Sequence, residues 1–283
     1  MQTDWAIEKF VEHCRYRGLS KKTIGRYLWA FKKLRVGHRT VPRKPDVLMR
    51  VMMCEELAAE SRLTLWRCYR RLYKWLSLRY TVPNVMEHVP PPARARRLPR
   101  VLDQAEVERL LAACTTRRDR ALVLLPMDNG LRLGEIAGIR RGDMFLDHVR
   151  VDGKVGERQV PLSAAAQQAL LGVGDEEHLW IGRQGPMTIE GVKQVYGRLF
   201  DRAGIRGRKL GPHTLRHTFA TWYMRSGGNV RILQEILGHL KVETTMLYVH
   251  LAGRDVREDH AAHTPLRMLT LLPADLAGHQ VAP

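Results

Sequence analysis

Residues 90–100, Pro-Pro-Pro-Ala-Arg-Ala-Arg-Arg-Leu-Pro-Arg, constrain this chain more than any other stretch. Pro90, Pro91, Pro92 and Pro99 have no backbone donor for a helix or a sheet, and their fixed φ favours an extended path. Arg94, Arg96, Arg97 and Arg100 keep that path solvated or hold it against phosphate, and both readings stand at this point. A chain of 283 residues interrupted there is expected to fold as about two domains, one over 1–89 and one over 101–263. A tail over 264–283 follows the second, with Leu266, Leu269 and Leu272 at helical spacing after Pro265. That short apolar helix suits docking on a neighbouring copy or on its own domain.

Charge separates the two sides of the interruption. The 47 Lys and Arg outnumber the 29 Asp and Glu, a net charge of +18, which favours a polyanionic partner over a small metabolite. Residues 1–97 hold 22 basic and 8 acidic side chains, whereas the remaining 186 hold 25 and 21. A basic domain that grips nucleic acid, followed by one with another task, accounts for the asymmetry; an Arg-rich composition with no ligand is the plainer alternative.

The first domain reads as all-α, with about four helices. Trp5, Ile7, Phe10, Val11 and Cys14 recur at helical spacing before Gly18. Ser20 then caps a helix over 21–35 that sets Ile24, Tyr27, Leu28, Phe31 and Leu34 on one side. Lys21, Lys22 and Arg26 on that helix are candidate DNA contacts. Residues 46–58 and 62–79 read as two further amphipathic helices. The second domain reads as helical with a small sheet: Asp103 to Glu106 has the form of a capping box, and Val149–Val151 and Gln159–Leu162 read as a hairpin with Lys154 near its tip. Helices are expected at 119–128, 163–171, 188–203, 213–226 and 229–237. The fold class is thus mainly α with a small β-sheet.

Cys14, Cys54, Cys68 and Cys114 are scattered without paired spacing, so neither a zinc site nor a disulfide framework is indicated. His260 and His263 have no further ligands at a matching spacing and read as a polar loop; no metal and no cofactor are expected. Nowhere do about 18 apolar residues run together, which leaves a cytoplasmic, nucleoid-associated protein with no membrane partner as the expectation.

Several polar motifs in the second domain gain meaning from their order: Gly130-Leu131-Arg132-Leu133-Gly134-Glu135, the hairpin with Lys154 and Arg158, His213-Thr214-Leu215-Arg216-His217, Leu237-Gly238-His239, and Thr244-Thr245-Met246-Leu247-Tyr248. In that order they closely resemble the tyrosine recombinase family, the phage integrases and Xer-type recombinases. The resemblance spans nearly the whole chain, with Gly134 and Leu240-Lys241 as small departures. It implies an N-terminal core-binding domain and a C-terminal catalytic domain with Arg132, Lys154, His213, Arg216, His239 and Tyr248 as the catalytic six. Two guanidinium groups match the charge that develops on a phosphodiester under attack. Tyr248 is implied as the nucleophile, His213 as a helper in moving its proton, and Lys154 as the acid for the leaving 5′-oxygen.

Glu135, three residues after Arg132, is placed to hold that guanidinium, although an ordinary surface pair is the plain alternative. Arg158 is a minor candidate for a phosphate contact. The family further implies double-stranded DNA with specific sites, a tetramer on two duplexes joined through a Holliday junction, and accessory DNA-bending proteins. A type IB topoisomerase, a catalytically silent DNA-binding regulator and a nuclease are the rival readings. Within the family, the linker and tail favour a mobile-element integrase over a chromosome-dimer resolvase.

Overall fold

A computed structural model describes residues 1–53, 57–93, 98–153, 156–175, 177–253, 260, 264 and 265. The chain divides into two compact units, Met1–Leu98 and Pro99–Pro283, and the division falls inside the proline- and arginine-rich segment. Arg94, Arg96 and Arg97 lie outside the described residues, as does the expected tail helix.

The first unit has helices α1 (Thr3–Tyr16), α2 (Lys21–Gly37), α3 (Pro45–Met52) and α4 (Ala59–Tyr80), followed by a 3-10 turn at Val85–His88. The Ser20 hydroxyl accepts from Thr23 N at 3.3 Å and caps α2. The buried stripe of α2 is Ile24, Tyr27, Ala30, Phe31 and Leu34. Leu28, expected inside, is 43% exposed, because Ala30 takes the position under α4 where the Tyr69 hydroxyl donates to its carbonyl at 3.1 Å. Phe10 meets Tyr27, Phe31 and Trp75 edge-on at centroid distances of 5.2, 5.7 and 5.5 Å, the arrangement ring quadrupoles favour. Lys21, Lys22 and Arg26 stand on the opposite, exposed side of α2. Helix α3 is shorter than the 46–58 expected: it begins at Pro45 and ends at Met52.

The second unit runs α5 (Gln104–Ala112), α6 (Arg117–Asn129), α7 (Leu133–Gly138), β1 (His148–Gly153), β2 (Gly156–Pro161), α8 (Ala164–Leu170), β3 (Ile181–Gly182), β4 (Gly185–Pro186), α9 (Ile189–Arg202), α10 (Pro212–Arg225), α11 (Val230–Leu237) and α12 (Val242–Ala252). Asp103 accepts from Glu106 N at 2.8 Å while Glu106 accepts from Asp103 N at 3.1 Å, so the capping box opens α5 as its residues require. Strands β1 and β2 pair antiparallel with Val149 opposite Val160 and Gly153 opposite Gly156, which leaves residues 154 and 155 as their connection. Val149, Val151 and Val160 point into a core shared with Leu122, Ile136, Leu199 and Leu215.

Two adjustments in this unit bear on the site. Pro126 lies inside α6 and has no N–H for the carbonyl of Leu122, and the buried Tyr196 hydroxyl of α9 donates to that carbonyl at 2.5 Å instead. Thr218 on α10 accepts from Leu102 N at 3.0 Å and donates to Thr214 O at 2.9 Å, tying the start of the unit to the helix that carries Arg216. Among the described residues no helix is long and apolar enough to cross a membrane.

Candidate active site

Two helix ends organise the site. Helices α6 and α11 both terminate at a glycine in the left-handed region, Gly130 at φ 64° and Gly238 at φ 60°. A helix C-terminus presents unpaired carbonyls and the negative end of its dipole, and here both ends face guanidinium groups. Arg216, 4% exposed on α10, donates through Nη1 to Gly130 O at 2.6 Å and through Nη2 to Leu237 O at 2.8 Å. Arg132 donates through Nη2 to Gly238 O at 3.2 Å. A side chain is strained at either glycine by its positive φ, and crowded as well: a Cβ on Gly130 would lie 2.6 Å from Leu237 Cδ2, and one on Gly238 would lie 3.0 Å from the Arg158 guanidinium.

Arg132 does not lie on a helix with Glu135 but immediately before α7, as its N-cap. Glu135 therefore reaches back, accepting from the Arg132 backbone N–H at 2.8 Å and from its Nη1 at 2.8 Å. Arg158 on β2 closes the other side with a fork, Nη1 and Nη2 each 3.0 Å from a Glu135 oxygen, and its Nε donates to Ile236 O at 3.3 Å. One carboxylate thus serves two arginines. Its side chain is 4% exposed, which rules out the surface-pair reading of Glu135. Burial alone would raise its carboxyl, yet the hydrogen bonds from Arg158 and Arg132 hold it below the usual carboxylate range. Arg158, weighed from sequence as a phosphate contact, has its guanidinium committed to this network.

The histidines and the tyrosine stand beside the arginines. His239 follows the α11 cap; its Nε2 lies 2.8 Å from Arg216 Nη2 and its Nδ1 2.9 Å from Thr245 Oγ1. Burial, then the charges of Arg216 and Arg132, pushes its imidazole down to about 4. It is neutral near pH 7, so its Nε2 accepts from Arg216 and its Nδ1–H donates to Thr245. Tyr248 on α12 is 2% exposed, its ring stacked on His239 at 6.4 Å, and its hydroxyl lies 2.9 Å from His217 Nδ1. Burial raises the phenol above its ordinary value, against the pull of Arg216. His213 opens α10, and its imidazole is lowered by desolvation and then by Arg216 and Arg132. Arg216 is lowered to about 10 by burial and by Arg132, which leaves it charged at neutral pH.

Of the catalytic residues expected from sequence, Arg132, Arg216, His239 and Tyr248 converge with Glu135 and Arg158, and His213 sits near enough to feel both arginines. Lys154 lies outside the described residues, on the two-residue connection of the hairpin. Arg100 is occupied within its own unit, paired with Glu106 and donating to Val101 O at 2.8 Å. Sequence reasoning passed over His217 and Thr245. A helical signal was available for both: His217 follows His213 by four residues and Thr245 precedes Tyr248 by three, each on the same helix face as its neighbour. Among the described residues no group of three or more His, Cys, Asp or Glu is placed to hold a metal ion, and His263 lies outside them.

A model of the phage integrase family matches residues 100–254. Tyrosine recombinase XerD of Corynebacterium glutamicum is 35% identical over 197 residues, which take in 62% of this chain and 64% of that protein, just under two thirds of its length. Tyrosine recombinase XerC of Pelotomaculum thermopropionicum is 32% identical over 233 residues, 72% of this chain and 74% of that protein. A solved structure of a lambda integrase tetramer bound to a Holliday junction shares the fold with a TM-score of 0.75 at 17% identity, covering 90% of this chain and 79% of that one.

Proposed function

Because this chain belongs to the phage integrase family, we propose that it is a site-specific DNA recombinase that breaks and rejoins strands through a covalent 3′-phosphotyrosine on Tyr248. The observation that carries this reading is the convergence of Arg132, Arg216, His239 and the buried Tyr248 hydroxyl at the ends of α6 and α11. Two guanidiniums held by backbone carbonyls are preorganised for the charge that grows on the non-bridging oxygens of a phosphodiester. The phosphate enters between Arg132 and Arg216, and His213 and His239 add hydrogen bonds to it. The Tyr248 oxygen attacks phosphorus, the bond from phosphorus to the 5′-oxygen breaks, and Lys154 supplies the proton that oxygen needs. The phosphotyrosine keeps the energy of the broken bond, so a 5′-hydroxyl from a partner strand reseals it without ATP.

In this reading residues 1–89 are the core-binding domain, gripping the duplex with Lys21, Lys22 and Arg26, and residues 90–100 form the linker, laid on phosphate by Arg94, Arg96 and Arg97, while Arg100 is held by Glu106. Residues 101–263 are the catalytic domain, and 264–283 a tail that docks between copies. The partner is double-stranded DNA with specific sites, and four copies act on two duplexes through a Holliday junction, with accessory DNA-bending proteins, in the cytoplasm and at the nucleoid. The identity to proteins named XerC and XerD weighs for a resolvase role over the integrase role favoured by the linker and tail.

The test is a nicked suicide duplex carrying candidate sites, incubated in EDTA with wild type and Tyr248→Phe. A protein–DNA adduct that survives denaturation, formed by wild type and absent from the variant, is expected. Tight binding with no adduct across a broad site library would leave a silent regulator as the better reading. Exchange between two sites, as opposed to relaxation of supercoils alone, separates a recombinase from a topoisomerase.

A further inference from the structure

The hydroxyl that the phosphotyrosine reading makes the nucleophile lies 2.9 Å from His217 Nδ1, on a residue to which the motif gives no role, and it is also within hydrogen-bonding influence of the Arg216 guanidinium, which can only donate. His217 sits one residue after Arg216 on α10, half-buried, with its ring 5.8 Å from that of Tyr248 at an interplanar angle of 44°. The direction of the bond follows from chemistry. A phenol is a stronger donor than a neutral imidazole, and no other acceptor for its proton is described. Burial, then His213 and Arg216, pushes His217 down to about 4, so the ring is neutral and has a free lone pair. The Tyr248 O–H therefore points into His217 Nδ1, the ring proton sits on Nε2, and the phenol oxygen keeps a lone pair for phosphorus beside the one that faces Arg216. His213, the family's helper for this proton, makes no described hydrogen bond to Tyr248.

We propose that His217 is a catalytic residue, the immediate acceptor of the Tyr248 proton during strand cleavage. This rests on the phosphotyrosine reading above and adds to it the route of one proton. The Tyr248 oxygen forms its bond to phosphorus as its proton passes to His217 Nδ1, while the bond to the 5′-oxygen breaks and that oxygen is protonated by the general acid. In rejoining, His217 returns the proton to the departing phenol. The resting site disfavours a cation at His217 because burial and Arg216 oppose it, and a bound phosphodiester brings the negative charge that reverses this. The base is thus weak in the empty site and strengthened by substrate.

Single-turnover adduct formation on two suicide duplexes, one with oxygen and one with sulfur at the 5′-bridging position, tests the assignment. A sulfur leaving group needs no proton, so a residue acting at the leaving group is dispensable on that substrate and one acting at the nucleophile is not. His217→Ala and His217→Asn are both expected to slow adduct formation by about 100-fold or more on both duplexes, the usual scale of general acid–base catalysis. His217→Asn keeps an acceptor near the Nδ1 position but cannot take the proton, and DNA binding and thermal melting show whether each variant is folded. A folded His217→Asn within about threefold of wild type would reduce His217 to a positioning role and overturn the proposal. So would recovery of either variant on the sulfur substrate. If wild type makes no adduct at all, the phosphotyrosine reading fails and takes this assignment with it.

Discussion

Replacing Glu135 with alanine should destabilise the second unit more than any other single carboxylate change in the site. The side chain is 4% exposed and accepts four hydrogen bonds, two from Arg132 and two from Arg158, whose side chains are 32% and 17% exposed. Breaking a buried ion pair on one side typically costs about 3–5 kcal/mol, because the remaining charge is left without a partner. Arg132 has water within reach and recovers part of this, so a loss of about 2–3 kcal/mol is expected. For a unit of this size each kcal/mol moves the melting temperature by about 2–4 °C, which places the shift at roughly 5–10 °C. Glu135→Gln keeps one oxygen for the Arg132 N–H and should lose about half as much. Because the folded carboxyl is depressed, its stabilisation is present above the unfolded value and vanishes as pH falls through the folded one. The gap between wild type and Glu135→Gln should therefore begin to narrow below about pH 4.3, the ordinary Glu value, and close once pH has fallen through the lower folded value. Thermal melts and urea titrations of the full chain check both claims. A melting temperature of Glu135→Ala within 2 °C of wild type, or a gap that persists at the acid end, would refute the reasoning.

Three further outcomes are expected. Gly130→Ala puts a Cβ at φ 64°, 2.6 and 2.7 Å from Leu237 Cδ2 and Phe219 Cδ1, and should cost about 2–4 kcal/mol in urea titration while weakening the carbonyl hold on Arg216. Thr245→Val removes the acceptor for His239 Nδ1–H and should slow adduct formation about tenfold, the worth of one buried hydrogen bond, with DNA affinity nearly unchanged. His217 and His239, both pushed down to about 4, should take up protons when a phosphodiester enters beside them, so the binding heat near about pH 5.5 should depend on buffer ionisation enthalpy. A heat independent of buffer would show that the phosphate does not approach these rings.

The features legible in sequence were those with a local signature. Asp103 and Glu106 announce the start of α5, Val149, Val151 and Val160 alternate as a hairpin must, and Ile24, Tyr27, Phe31 and Leu34 mark the buried side of α2. Helix α12 was not legible as a helix, because its buried residues are Thr245 and Tyr248 whereas Met246 is 37% exposed. Val249, Leu251 and Ala252 pack only partly against the same cluster, so no clean apolar stripe marks the buried face. Strands β3 and β4 have two residues each, too short for any alternation to register. Within the site, residue types in order identified the arginines and Tyr248, but not their partners. That His217 faces the phenol, or that Arg158 forks onto Glu135 instead of standing free for phosphate, depends on how α10, α12 and β2 meet in space. Nothing in the spacing along the chain encodes that meeting.

The bonds that hold the two arginines also decide when during synthesis this pocket comes into being. Arg216 reaches a carbonyl 86 residues earlier, Arg132 one 106 residues later, and Leu102 is pinned by a threonine 116 residues on. Closing loops of that length is slow compared with forming the helices they join. A ribosome that has released only the first half of the second unit therefore holds Arg132 without the Gly238 carbonyl that orients it. Tyr248 follows every other residue of the pocket in chain order, so its hydroxyl meets His217 only after α10 and α11 are in place. If the proposed function holds, a truncated or half-folded chain that carries the basic first unit would bind DNA without an assembled means of cutting it.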